Sequence, residues 1–110
     1  MIAEAEIPDQ VDQHDIDFTE TILGFNILIG GHRVGAIEGI PGDIEYLMVE
    51  PHYQNKGVAR AALNAFMSLS RVHGASEVTT NNVLHPAMEH ILETEGFEER
   101  TDEIGWVKEI

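Results

Sequence analysis

The sequence predicts a single α/β domain of the α+β kind. Its expected form is a mixed, mostly antiparallel sheet with helices packed on it, in the order β-β-β-α-β-α-β behind an acidic N-terminal arm. Three observations predict it. The 110 residues are the length of one small domain. Residues 22–49 carry strand-length apolar runs separated by glycine-containing turns, and after Gly57 the apolar spacing becomes helical. A meander followed by two crossovers gives a mixed sheet covered by helices.

Residues 1–20 are rich in Asp, Glu and Gln, with short apolar runs near Ile7 and Ile16-Phe18, and read as an arm or an initial strand ahead of the domain at 21–110. Ile22 to Ile29 is an apolar run, Gly30-Gly31 supplies a tight turn, and Val34 to Ile40 returns as the second half of a hairpin. Pro41-Gly42 turns again, and Asp43 to Val49 forms a third strand stopped by Pro51. From Gly57 to Arg71, Val58, Ala62, Phe66 and Leu69 with Val72 make one apolar stripe, closed by Gly74. Ser76 to Val83 is a short strand. His85-Pro86 opens a second helix with Met88, Ile91 and Leu92 on its apolar face and Gly96 at its end. Residues 104–110 complete the set as a last strand, whose edge could pair across a two-fold to make a homodimer.

Twenty acidic residues oppose six basic ones, for a net charge of −14. That balance argues against affinity for nucleic acid or for anionic membranes. A solvated acidic surface, suited to high salt as in a halophilic protein, is the plainer meaning, and attraction to cationic partners is the other. No apolar run reaches the length of a membrane span, and the first residues lack a secretory pattern, so the expected location is cytoplasmic. Without cysteine there is no disulfide, thiolate metal site or thiol nucleophile. The charge is unevenly spread: Pro51 to Ser76 contains no acid, while Lys56, Arg60 and Arg71 fall inside it. This is the segment suited to an anion.

Within that window, Leu47-Met48-Val49 ends a strand, a short loop follows, and Gln54-Asn55-Lys56-Gly57-Val58-Ala59-Arg60 leads into a helix. The first amides of a helix have no intrahelical partner and the macrodipole is positive there, which makes such a terminus an anion site. Gly57 and Ala59 are small enough for phosphate oxygens to approach the backbone, and Lys56 and Arg60 add charge. Neither the P-loop pattern nor Gly-x-Gly-x-x-Gly is present.

These residues resemble the GNAT (Gcn5-related) N-acetyltransferase superfamily. Gln54 to Ala59 is similar to the family's Gln/Arg-x-x-Gly-x-Gly/Ala signature, and Leu47-Met48-Val49 to the strand that pairs with the pantetheine arm. His85 to Phe97 resembles the family's second helix with its closing Gly-Phe, so the resemblance spans roughly residues 22–110. It implies acetyl-coenzyme A as co-substrate. The cofactor residues it implies are Leu47, Met48, Val49, Gln54, Asn55, Lys56, Gly57, Val58, Ala59, Arg60 and His85. It also implies direct acetyl transfer to an amine, either a small molecule or a protein lysine or N-terminal amine. Two positions depart from the pattern: Leu92 stands where many members carry a proton-donating tyrosine, and His85 where an asparagine is common. The region before the hairpin is short for the helices that help form an acceptor site. The alternative is therefore a non-catalytic member that binds coenzyme A or serves as an assembly subunit.

For catalysis, a backbone N–H from Leu47 to Val49 would stabilise the oxyanion. Glu45, or alternatively Asp43, is the candidate general base, and Tyr46 or Tyr53 the candidate acid. Each has a blander reading, as a solvated strand carboxylate or a half-buried tyrosine. Trp106 reads as an acceptor-pocket wall or, more simply, as core or dimer contact. His85 and His90, five apart on a helix, make a poor metal pair, and no metal is implied.

Overall fold

The computed structural model describes residues 10–80, 86–101 and 103–110. Its strands are β1 (Ile16–Glu20), β2 (Gly24–Ile29), β3 (His32–Ile40), β4 (Asp43–Val49), β5 (Glu77–Thr80), β6 (Glu98–Glu99) and β7 (Trp106–Glu109), with helices α1 (Val58–Val72) and α2 (Pro86–Thr94). All seven strands join one sheet in the order β1-β2-β3-β4-β5-β7-β6. Every pairing is antiparallel except β4 with β5. The expected order is present from Gly24 onward, with β1 added in front and the two-residue β6 inserted before the last strand.

Of the two readings for residues 1–20, the strand applies to Ile16–Glu20, whose Ile16 and Phe18 lie opposite Ile29 and Ile27 of β2. The apolar run from Ile22 begins its strand only at Gly24. Ile22 and Leu23 stay exposed in a turn closed by the Thr21 N–H donating to the Gly24 carbonyl at 2.8 Å.

The sheet packs its apolar face on α1, through Phe25, Ile27, Ile37 and Ile44 against Val58, Ala62, Leu63 and Phe66. Phe66 meets the rings of Phe18 and Phe25 edge-on, with centroids 6.2 and 5.8 Å away. Val72, expected on the same stripe, is 84% exposed, because the buried face of α1 runs through Ala62, Leu63, Phe66, Met67 and Ser70 and turns Val72 away from it. Ser70 is buried but satisfied, since its Oγ accepts the Gly42 N–H at 2.9 Å and ties the end of α1 to the β3–β4 turn. Both helices end as their glycines predict: Ala75 N–H returns to the Ser70 carbonyl (3.0 Å), and Phe97 N–H to that of Leu92 (2.9 Å).

The last strand is not the exposed edge expected of residues 104–110. After the turn at Gly96, Glu98–Glu99 folds back on Val107 and Trp106, leaving β7 between β5 and β6. Trp106 is buried in the core. Among the described residues, no helix is long and apolar enough to cross a membrane.

Candidate functional site

The feature that positions the site is the second half of β4. Among the described residues β4 pairs with β5 at Asp43↔Thr79 and Ile44↔Thr80, and it runs on to Val49. The direction of its amides follows from the other side. Glu50 N–H donates to the Val34 carbonyl at 2.8 Å, in register with the β3–β4 ladder. By the alternation of an antiparallel ladder, Met48 and Tyr46 also face β3, so the amides of Leu47 and Val49 point away from β3. There the Val49 carbonyl accepts a hydrogen bond from Gln54 Nε2 at 3.0 Å.

A bulge precedes this stretch. Tyr46 lies opposite Glu38 and Ile44 opposite Gly39, which leaves Glu45 as the extra residue. Gly39 accommodates it at φ +132°, and a Cβ there would sit 2.2 Å from the Asp43 carbonyl oxygen.

Beside this half of β4 lies a cleft of about 540 Å³. Its floor is Ile44, Tyr46, Leu47, Met48 and Val49 of β4 with Thr80 of β5. One wall is the connecting loop and the first turn of α1: Tyr53, Gln54, Asn55, Gly57, Val58, Ala59 and Arg60. The other is Met88 and Ile91 of α2. The loop enters α1 through positive φ at Asn55 (65°) and Gly57 (80°), and no side chain caps the helix. A helix start left open in this way presents unpaired amides and the positive end of the dipole to the cleft. The segment before β1 braces it, because Val11 N–H donates to the Lys56 carbonyl at 3.0 Å.

Most of the residues expected to hold a cofactor are thus brought together: Leu47, Met48, Val49, Gln54, Asn55, Gly57, Val58, Ala59 and Arg60 all line this cleft, as does Tyr46. Lys56 does not, and His85 lies outside the described residues. Arg60 is less free than its sequence position suggests. Its Nη1 donates to Thr94 Oγ1 at 2.7 Å and pairs with the Glu95 carboxylate. The two carboxylates read as bases stand away from the cleft lining. Glu45 is exposed on the bulge, and Asp43 accepts a hydrogen bond from Thr79 Oγ1 at 2.8 Å. Leu92 is fully buried in the core, so this position offers the cleft no polar group.

Sequence reasoning missed the closing wall and the Glu95 cluster. Met88 and Ile91 were legible as an apolar helix face, but periodicity does not say what that face meets. Glu95 gave no signal among twenty acids. It accepts from Asn64 Nδ2 at 2.7 Å as well as from Arg60. The Asn64 hydrogen bond, then the Arg60 contact and the charges of Arg60 and Lys108, hold its carboxyl below the ordinary glutamate range against the opposing effect of burial. Among the described residues, no group of three His, Asp or Glu side chains could hold a metal ion.

No curated protein matches the sequence at a significant level. In structure, the chain is similar to a GCN5-related N-acetyltransferase from Rhodopseudomonas palustris, with a TM-score of 0.59 and 19% identity over 78% of this chain. It spans 60% of that protein's length, and at this identity the likeness speaks for the fold. The sequence model of the acetyltransferase (GNAT) family matches residues 3–97. The chain therefore belongs to the GNAT family, whose members are in general acyltransferases that take acetyl-coenzyme A as co-substrate and an amine as acceptor.

Proposed function

We propose that this chain binds acetyl-coenzyme A in the cleft between β4, α1 and α2 and moves the acetyl group directly to an amine. The observation that carries the reading is the uncapped, glycine-initiated start of α1, which lines one cleft with the second half of β4. The diphosphate is held by the amides of Gly57 to Arg60. The pantetheine arm lies along Leu47 to Val49, adding hydrogen bonds to the side of β4 turned away from β3, while Met88 and Ile91 cover its alkyl part. His85, which opens the segment leading to α2, belongs to the same expected cofactor set.

In the transfer, the amine nitrogen attacks the thioester carbonyl carbon. The carbonyl oxygen becomes an oxyanion, the C–S bond then breaks, and the thiolate takes up a proton. The N–H of Leu47 or Val49 stabilises the oxyanion. Tyr46, at the cleft surface, protonates the sulfur, with Tyr53 as the other phenol of the lining. Glu45, solvent-exposed at the bulge, accepts the amine's proton through water, and Asp43 is the alternative. The acceptor is a small-molecule amine or a protein lysine or N-terminal amine, with the acidic surface favouring cationic ones.

Burial of Leu92 and the absence of a carboxylate from the cleft lining among the described residues favour a second reading, in which the chain binds the coenzyme without turning it over. Calorimetry with acetyl-coenzyme A, followed by transfer assays on an amine panel at low and multimolar salt, separates the two. Binding with acetyl transfer is the expected result. Binding without transfer to any amine selects the second reading, and no heat of binding removes both.

A further inference from the structure

Arg60 is the third residue of α1, and Thr94 and Glu95 stand at the end of α2, so their contacts tie the two walls of the cleft together. A guanidinium Nη1 carries two N–H groups. With one on Thr94 Oγ1 and one on the Glu95 carboxylate, the edge formed by Nε and Nη2 is the remaining fork, the geometry that meets a phosphate with two bonds.

The two partners are unequally anchored. Glu95 is held by Asn64 Nδ2 on its other oxygen (2.7 Å) and by Lys108 Nζ on its backbone carbonyl (2.6 Å). Its side chain is 18% exposed, against 40% for Arg60. The carboxylate is therefore the fixed member and the guanidinium the one able to turn. Arg60 lines the cleft with its charge already matched by a carboxylate close beside it.

We propose that Glu95 competes with the cofactor for Arg60, and so limits how tightly the cleft holds an anionic ligand. This rests on the reading that the ligand is acetyl-coenzyme A. A diphosphate entering along α1 meets the remaining fork of a guanidinium whose charge the carboxylate already offsets, so it gains less than it would from an unpaired arginine. Removing the Glu95 charge leaves Arg60 wholly available. A pair this exposed corresponds to a factor of about two to five in affinity.

The test is calorimetry on the full chain at about 0.1 M KCl, where such charges are only partly screened. The E95Q variant is expected to bind acetyl-coenzyme A about two- to fivefold tighter than the wild type, the size set by such an ion pair. Acetyl-pantetheine, which lacks the diphosphate, should show no change. Adding R60M to E95Q should remove the gain. Should E95Q not fold, E95D withdraws the carboxylate by one methylene while keeping its charge, and carries the same prediction in smaller size. Unchanged or weaker binding by a folded variant overturns the proposal. A gain that survives R60M also overturns it, because simple repulsion by Glu95 would then be the cause. A wild type that does not bind acetyl-coenzyme A refutes the functional reading itself, whereas a wild type that binds alongside an indifferent E95Q refutes only the competition.

Discussion

The wall of the cleft made by α1 offers backbone, and the wall made by α2 offers hydrocarbon. On the first side Gly57 at φ 80° opens a helix with no cap, and Ala59 is small enough to leave its amides accessible. On the second, Met88 and Ile91 face the cleft while Leu92, the next residue, is sealed in the core. The proposed ligand, long and with one anionic end, suits this arrangement. On that reading the difference teaches that binding and chemistry are separable: α1 supplies what binding needs, whereas α2 contributes shape and, through Glu95, a restraint on Arg60. The acid–base groups proposed above come from β4 and its loop.

The sharpest way to break the comparison is to charge the α1 wall. Ala59→Glu puts a carboxylate against the proposed diphosphate and should weaken acetyl-coenzyme A binding about a hundredfold, as like charges at close range do. Thermal stability should hold or rise slightly, because an acid in the first turn suits the helix dipole. Calorimetry and a melting curve read the two effects separately, and an unchanged Kd would mean that the ligand does not pass along α1.

On the α2 wall, Leu92→Tyr tests whether the missing tyrosine can simply be restored. A larger, polar side chain in a fully buried position should cost about 1–3 kcal/mol of stability. Chemical denaturation measures it, and a variant as stable as the wild type would show that the position can open to the cleft.

Gly57→Ala sharpens the α1 side more gently. An added Cβ would meet nothing nearer than Gln10 Nε2 and the Val11 carbonyl oxygen, both at 3.7 Å, so the cost is conformational, roughly 1–2 kcal/mol for a left-handed residue. Because that Cβ points at the segment before β1, the melting temperature should move more than the Kd. A large loss of affinity at unchanged stability would count against this placement.

The smallest effect is the pH dependence of the tie between the walls. The folded-state pKa of Glu95 is depressed, so its contribution to stability is present above the unfolded glutamate value and is lost as pH falls through the folded value. Wild type should exceed E95Q by no more than about 1 kcal/mol at neutral pH, the scale of a partly exposed pair. The gap should close below about pH 4. Denaturant titrations at both pH values check it, and a gap independent of pH would assign the effect to packing.

Much of this was legible before any coordinates. The hairpin at Gly30-Gly31, the turn at Pro41-Gly42 and the helix ends at Gly74 and Gly96 are local events, governed by backbone freedom at single residues. The loop from Gln54 to Ala59 stood out for the same reason, and so did the acid-free window around it. The strand at 104–110 was read correctly, but its edge position and the burial of Val72 were not, because a periodic pattern does not say what a neighbouring element covers. Val72 is turned from the buried face of its helix, and the last strand is covered by a two-residue strand too short to announce itself.

The sequence by itself determined the fold class, the order of elements from Gly24 onward and the loop that faces the cleft, because each rests on short-range propensities and spacing. Only the tertiary structure decided that β7 is internal, that Leu92 points into the core while Met88 and Ile91 point out, and that Arg60 meets Glu95 across 35 positions of chain. Those are contacts between elements. They depend on how the sheet's twist and the helix faces come together, and no local run of residues encodes that.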